Sequence, residues 1–102
     1  MSVQDKIKQQ ITENKVVLYM KGNAELPMCG FSARATNILK SCGVKFMTVD
    51  VLQDEEVRQC IKVFSNWPTI PQLYVNGEFI GGSDIMAEMF EAGELQTLLQ
   101  DY

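Results

Sequence analysis

The pattern of this 102-residue chain predicts an α/β fold, a four-stranded mixed sheet flanked by helices on both faces. Three observations predict it. Amphipathic stretches alternate with short apolar runs; the first two runs are separated by one helix, as parallel strands require; and an Asn-Gly pair joins the last two.

Val3, Ile7 and Ile11 recur every fourth residue on a polar background, so residues 3 to 13 read as a helix ended by Asn14. Val16 to Met20 is continuously apolar and rich in β-formers, as expected of a central strand covered on both faces. Phe31, Ala35, Ile38, Leu39 and Cys42 mark one face of a second helix that stops at Gly43. Phe46 to Val51 follows as a strand, and the β-helix-β order implies parallel pairing with a right-handed crossover. Asp54 leads a third helix with an acidic first turn and the apolar face Val57, Cys60, Ile61 and Phe64, closing near Asn66. Leu73 to Val75 and Glu78 to Ile80 form a hairpin about Asn76-Gly77. Gly81-Gly82 breaks the strand and Ser83 is a good N-cap for a helix that carries Ile85, Met86, Met89 and Phe90 and runs until Gly93, after which Leu95, Leu98 and Leu99 add a turn or two.

No linker, repeat or low-complexity segment interrupts this order, so the expectation is one domain over residues 1–102. The absence of His excludes Ser-His-Asp and Cys-His nucleophile pairs and His-ligated zinc. A net charge of -4 argues against nucleic acid as the main partner. The polar start resembles no targeting segment and no apolar run could span a bilayer, so a cytoplasmic location without membrane insertion is expected. Three Cys, an odd number, then read as reduced thiols.

Pro27-Met28-Cys29-Gly30-Phe31-Ser32 places one of these thiols where a loop becomes a helix. Unpaired N–H groups and the positive end of the dipole favour thiolate there, making Cys29 a nucleophile and a soft-metal ligand. Cys42 and Cys60 fall on apolar helix faces and read as core, with Cys60 kept as a redox candidate. Pro71, in Trp67-Pro68-Thr69-Ile70-Pro71, opens an interior strand. A cis Ile70-Pro71 bond would turn the Ile70 backbone outward to pair with an extended peptide, although the spacing equally suits a rigid loop. Gly81-Gly82-Ser83-Asp84 offers free N–H groups to a carboxylate and Asp84 to an ammonium; ordinary helix capping explains it as well. Lys21 and Arg58 taken alone read as surface charges.

Together, Lys21-Gly22, the Cys29-Gly30-Phe31-Ser32 motif with Pro27 ahead of it, Trp67 to Pro71 and Gly81 to Asp84 resemble the monothiol glutaredoxins of the Cys-Gly-Phe-Ser type over nearly the whole chain. The resemblance implies a thioredoxin-like fold and a glutathione site. In it Cys29 contacts the glutathione sulfur, Lys21 and Arg58 bind the glycine carboxylate, and Ile70 pairs with the cysteinyl backbone. Ser83 and Asp84 hold the γ-glutamyl end, with Phe31, Thr69, Pro71 and Gly82 completing the site. It further implies a [2Fe-2S] cluster ligated by two Cys29 thiolates and two glutathione thiols in a homodimer, or a heterodimer with another ligand donor such as a BolA-type partner. Transfer to apo iron-sulfur acceptor proteins follows, in cluster assembly and redox homeostasis. Because Ser32 stands where a dithiol relative has its resolving cysteine, the alternative activity is removal of glutathione from protein mixed disulfides. In the resembled family the Gly22 to Leu26 loop ahead of Pro27 goes with a glutathione pose suited to cluster ligation and with poor turnover; the one departure is Ser83, which often corresponds to a second cysteine, so a disulfide from Cys29 to that position is precluded.

Overall fold

The computed structural model describes residues 2–100, so the single unit expected over 1–102 takes in three residues outside those described. In chain order the elements are α1 (Val3–Glu13), β1 (Val16–Met20), α2 (Gly30–Ser41), β2 (Met47–Asp50), α3 (Glu55–Ser65), β3 (Gln72–Val75), β4 (Glu78–Gly81), α4 (Ser83–Glu91) and α5 (Glu94–Leu99). The strands form one mixed sheet in the order β2-β1-β3-β4. β1 runs parallel to β2, with Val17 opposite Met47, and antiparallel to β3, with Leu18 opposite Leu73. β3 and β4 close as an antiparallel hairpin. Asn76 and Gly77 both take positive φ, 53° and 82°, as a type I′ turn requires.

All five residues of β1 are buried because its period-2 side chains feed two cores. Val16, Leu18 and Met20 pack with Ala35 and Leu39 of α2, Met86 of α4 and Leu95 and Leu99 of α5. Val17 and Tyr19 pack with Ile7 and Ile11 of α1 and Val57 and Ile61 of α3. Helices therefore cover both sheet faces. Among the described residues no helix is long and apolar enough to cross a membrane.

Several element boundaries depart from expectation, and β3 begins one residue early, at Gln72. β2 is Met47–Asp50 rather than 46–51, because this edge strand pairs only with β1 and the ladder ends opposite Met20. Val51 still donates its N–H to the Met20 carbonyl at 2.9 Å, but Gln53 then bonds back to the Asp50 carbonyl and the chain turns. The cap of α4 is Gly82 rather than Ser83, and Gly81 belongs to β4. The chain passes from strand to helix with a single residue between them, so Ser83 is already helical and buried.

Asp54 caps α3 by accepting the Val57 N–H at 3.2 Å and pairs with Lys6 of α1 at 2.8 Å. The hydrogen bond from Lys6, followed by that from the Val57 backbone, holds the Asp54 carboxyl below its ordinary value of 3.8. A carboxyl with a folded pKa below the unfolded one adds stability that is full above the unfolded value and is lost as pH falls through the folded one. Asp54→Asn is therefore expected to flatten the decline in urea midpoint between pH 7 and pH 3. An unchanged decline would show that the pair contributes nothing.

Candidate functional site

Cys29 is the N-cap of α2, with extended backbone at φ -155° and ψ 140°, and its carbonyl accepts the Ala33 N–H at 2.9 Å. This geometry aims the first free N–H groups of the helix at the sulfur. The Ser32 backbone N–H is the largest influence drawing the Cys29 thiol below its ordinary value; partial burial opposes it, while the Phe31 N–H, the Lys21 ammonium and the Ser32 hydroxyl reinforce it. Ser32 is itself fully buried, and its Oγ accepts the Lys21 N–H at 3.1 Å, tying the end of β1 to the start of α2.

The intervening loop is pinned at several points. Gly22 and Pro27 form an isolated bridge, Met28 donates to the Lys21 carbonyl at 2.9 Å, and Gly22 donates to Asp50 Oδ1 at 2.9 Å. Asn23 Oδ1 accepts from both Glu25 and Leu26, and Lys40 Nζ from α2 donates to the Ala24 carbonyl at 2.8 Å. Leu26, Met28 and Phe31 are left exposed around Cys29.

Beside Phe31 runs a groove of about 220 Å³ lined by Trp67, Thr69, Ile70, Pro71, Gly82, Ser83, Asp84 and Ile85. The Ile70-Pro71 bond is cis. The buried Gln72 side chain donates to the carbonyls of Trp67 and Thr69, each at 3.1 Å, holding this segment against β3. A Cβ on Gly82 would lie 3.2 Å from the Pro71 carbonyl oxygen, so glycine lets the start of α4 approach the Trp67 to Pro71 wall.

The structure thus brings seven of the sequence-predicted residues, Phe31, Thr69, Ile70, Pro71, Gly82, Ser83 and Asp84, onto one groove, with Cys29 at the adjoining helix start. Lys21 acts on the sulfur through its charge without lining the groove. Arg58 stands apart from the groove lining, 3.8 Å from Glu55, and its buried Nε has no hydrogen-bond partner among the described residues. Asp84, expected to hold an ammonium, receives Arg34 Nη1 at 3.2 Å. Sequence reasoning gave no role to Arg34, Gln72, Ile85 or the Trp67 ring; a large aromatic before Pro68 was the one available signal.

All three cysteines are free. Cys42 packs on the core shared with α2, where burial pushes its thiol up. Cys60 packs on the core of the opposite sheet face. Among the described residues no group of three or more His, Cys, Asp or Glu side chains converges as a metal site.

Fold and site together define a thiol protein with one activated sulfur at a helix start, beside a groove walled by a cis-proline segment. Residues 16–80 match the glutaredoxin family model. Glutaredoxin 4 of Haemophilus influenzae is 55% identical, covering 99% of this chain and 94% of that protein. A ycf64-like monothiol glutaredoxin of Synechocystis is 57% identical over 93% of this chain and 89% of its own length. The solution structure of reduced apo GrxS14 from poplar superposes with a TM-score of 0.86 at 44% identity, covering 98% of this chain and 92% of that one. The chain belongs to the glutaredoxin family, with its thioredoxin-like fold, and is similar to Glutaredoxin 4 and monothiol glutaredoxin relatives.

Proposed function

We propose that residues 1–102 act as a single glutaredoxin domain that binds glutathione in the Phe31 to Asp84 groove and carries a [2Fe-2S] cluster as cargo between two copies of the chain. The observation that carries this reading is the isolation of Cys29: it has a lowered thiol at an accessible helix start, and the buried Ser32 hydroxyl leaves no second sulfur in the motif. Ordinary [2Fe-2S] ligation takes four thiolates, and thiolate is the soft donor that iron-sulfur chemistry favours. One chain supplies one from this motif. Two Cys29 and two glutathione thiols complete the set, which calls for a homodimer; in a heterodimer a BolA-type partner supplies the ligands that a second copy would.

In this reading Cys29 binds iron and lies against the glutathione sulfur, Ile70 pairs with the cysteinyl backbone, and Lys21 and Arg58 meet the glycine carboxylate. Thr69, Pro71 and Gly82 shape the wall, while Ser83 and Asp84 take the γ-glutamyl end. A cationic pair for one carboxylate and a helix start with one acid for the amino-acid end match the ligand charge for charge. The cluster then passes by thiolate exchange to apo iron-sulfur acceptors in the cytoplasm.

Anaerobic reconstitution with iron, sulfide and glutathione is expected to give a coloured species of twice the chain mass. Omitting glutathione should abolish both colour and mass doubling. A colourless monomer that instead turns over a small glutathione mixed disulfide rapidly, in an assay coupled to glutathione reductase, would replace this reading with the oxidoreductase one.

A further inference from the structure

We infer that Arg34 and Asp84 together form a receptor for an α-amino-acid terminus, and that Arg34 makes the groove selective for ligands whose α-carboxylate is free. The inference rests on the glutathione reading above, and names the residue that would read the γ-glutamyl end beyond Ser83 and Asp84. Arg34 lies on α2 and Asp84 is the second residue of α4, fifty positions apart in sequence, yet Nη1 and Oδ1 meet at 3.2 Å. Asp84 lines the groove beside Phe31, whereas Arg34 borders the neighbouring open groove between α2 and α4 together with Gly30. The pair therefore bridges the rim of the ligand groove at the end where α4 begins.

Its placement is poorly explained by stability. The two side chains are 50% and 83% exposed, and an ion pair in that setting adds little to folding. Both groups also keep capacity for a ligand. A guanidinium carries five N–H donors and a carboxylate two oxygens, and the contact uses Nη1 and Oδ1 alone. Among the described residues neither group makes another hydrogen bond. No side chain caps α4, so its first N–H groups add positive potential on the same side as the guanidinium.

Asp84 alone would accept any ammonium, including the N-terminus of an ordinary peptide. An adjoining guanidinium changes what is recognised. Ammonium and carboxylate on one carbon present opposite charges side by side, which complements a carboxylate and guanidinium held side by side; a γ-linked glutamyl residue has that terminus, and an α-linked peptide does not. A carboxylate on the planar guanidinium gains directional bonds that Lys would supply less well.

The test is titration calorimetry under anaerobic conditions with reduced glutathione and with its analogue 4-aminobutyryl-Cys-Gly, which lacks only the α-carboxylate. Wild type is expected to bind glutathione about two- to fivefold more tightly than Arg34→Gln, the range of an exposed charge pair. The preference for glutathione over the analogue should shrink by the same factor in Arg34→Gln and only partly in Arg34→Lys. An unchanged preference in Arg34→Gln, or tighter glutathione binding as if Arg34 merely blocked Asp84, overturns the inference. Wild type that binds no glutathione at all overturns the underlying reading instead.

Discussion

Cys29→Ser is expected to abolish fast alkylation of the chain by iodoacetamide at pH 6 while leaving its thermal midpoint nearly unchanged. Only the thiolate attacks, and an ordinary thiol of pKa about 8.5 is ionised to roughly one part in 300 at that pH. Cys29 lies below its ordinary value, chiefly through the Ser32 backbone N–H, whereas burial pushes Cys42 up. The sign is fixed by this contrast: as pH falls, the Cys42 rate collapses first and the Cys29 rate persists until pH passes its lowered value. A lower pKa also weakens the intrinsic nucleophile, but with a Brønsted coefficient of about 0.4–0.5 this offsets only part of the gain in ionised fraction. Peptide mapping after short exposure to the reagent reads each site separately. Equal rates at Cys29 and Cys42 would remove the electrostatic basis of the site, and with it the argument for Cys29 as iron ligand. Ser32→Ala refines the test: it deletes the hydroxyl contribution but keeps the leading backbone donor, so most of the reactivity should remain.

The same contrast shows which parts of the site are legible in a single sequence. A cysteine between Pro27-Met28 and Gly30-Phe31 advertises a helix start, and the helix start supplies its own donors; nothing distant is required. The double-faced core is legible for a similar reason, since Val16 to Met20 alternates between α2 and α1 partners within one apolar run. The boundary at Ser83 misleads because a serine after two glycines has the chemistry of a cap, while the tight β4 to α4 passage moves that role to Gly82. Arg34 draws no reading from the sequence because its partner is fifty residues away on another helix, and no local pattern encodes that meeting. Gln72 is hidden differently: a polar residue directly after Pro71 looks like the edge of a loop, yet it is fully buried and feeds the Trp67 and Thr69 carbonyls.

Gly22→Ala should cost far more than Gly43→Ala, although both glycines have left-handed backbone, at φ +87° and +70°. The shared component is conformational: placing a Cβ in this region costs about 1–2 kcal/mol, partly offset by about 0.4–1 kcal/mol from a stiffer unfolded chain. At Gly43 nothing lies within 4 Å of an added Cβ, so that net cost is all that is expected. At Gly22 the Cβ would fall 2.7 Å from the Met28 nitrogen and 2.8 Å from Met28 Cγ, and would also strike the Leu26 carbonyl oxygen. Two of those three atoms are backbone held in the Gly22–Pro27 bridge, so the segment itself must shift, adding about 1–3 kcal/mol. With a small domain losing about 4–8 °C per kcal/mol, Gly43→Ala should lower the midpoint by several degrees and Gly22→Ala by roughly 10 °C or more. The displaced segment leads directly into Cys29 and is anchored to Lys21 through the Met28 N–H, so Gly22→Ala should also slow Cys29 alkylation at pH 6, and Gly43→Ala should not. Midpoints within about 2 °C of each other, with equal alkylation rates, would mean the loop yields without strain and does not set the position of the sulfur.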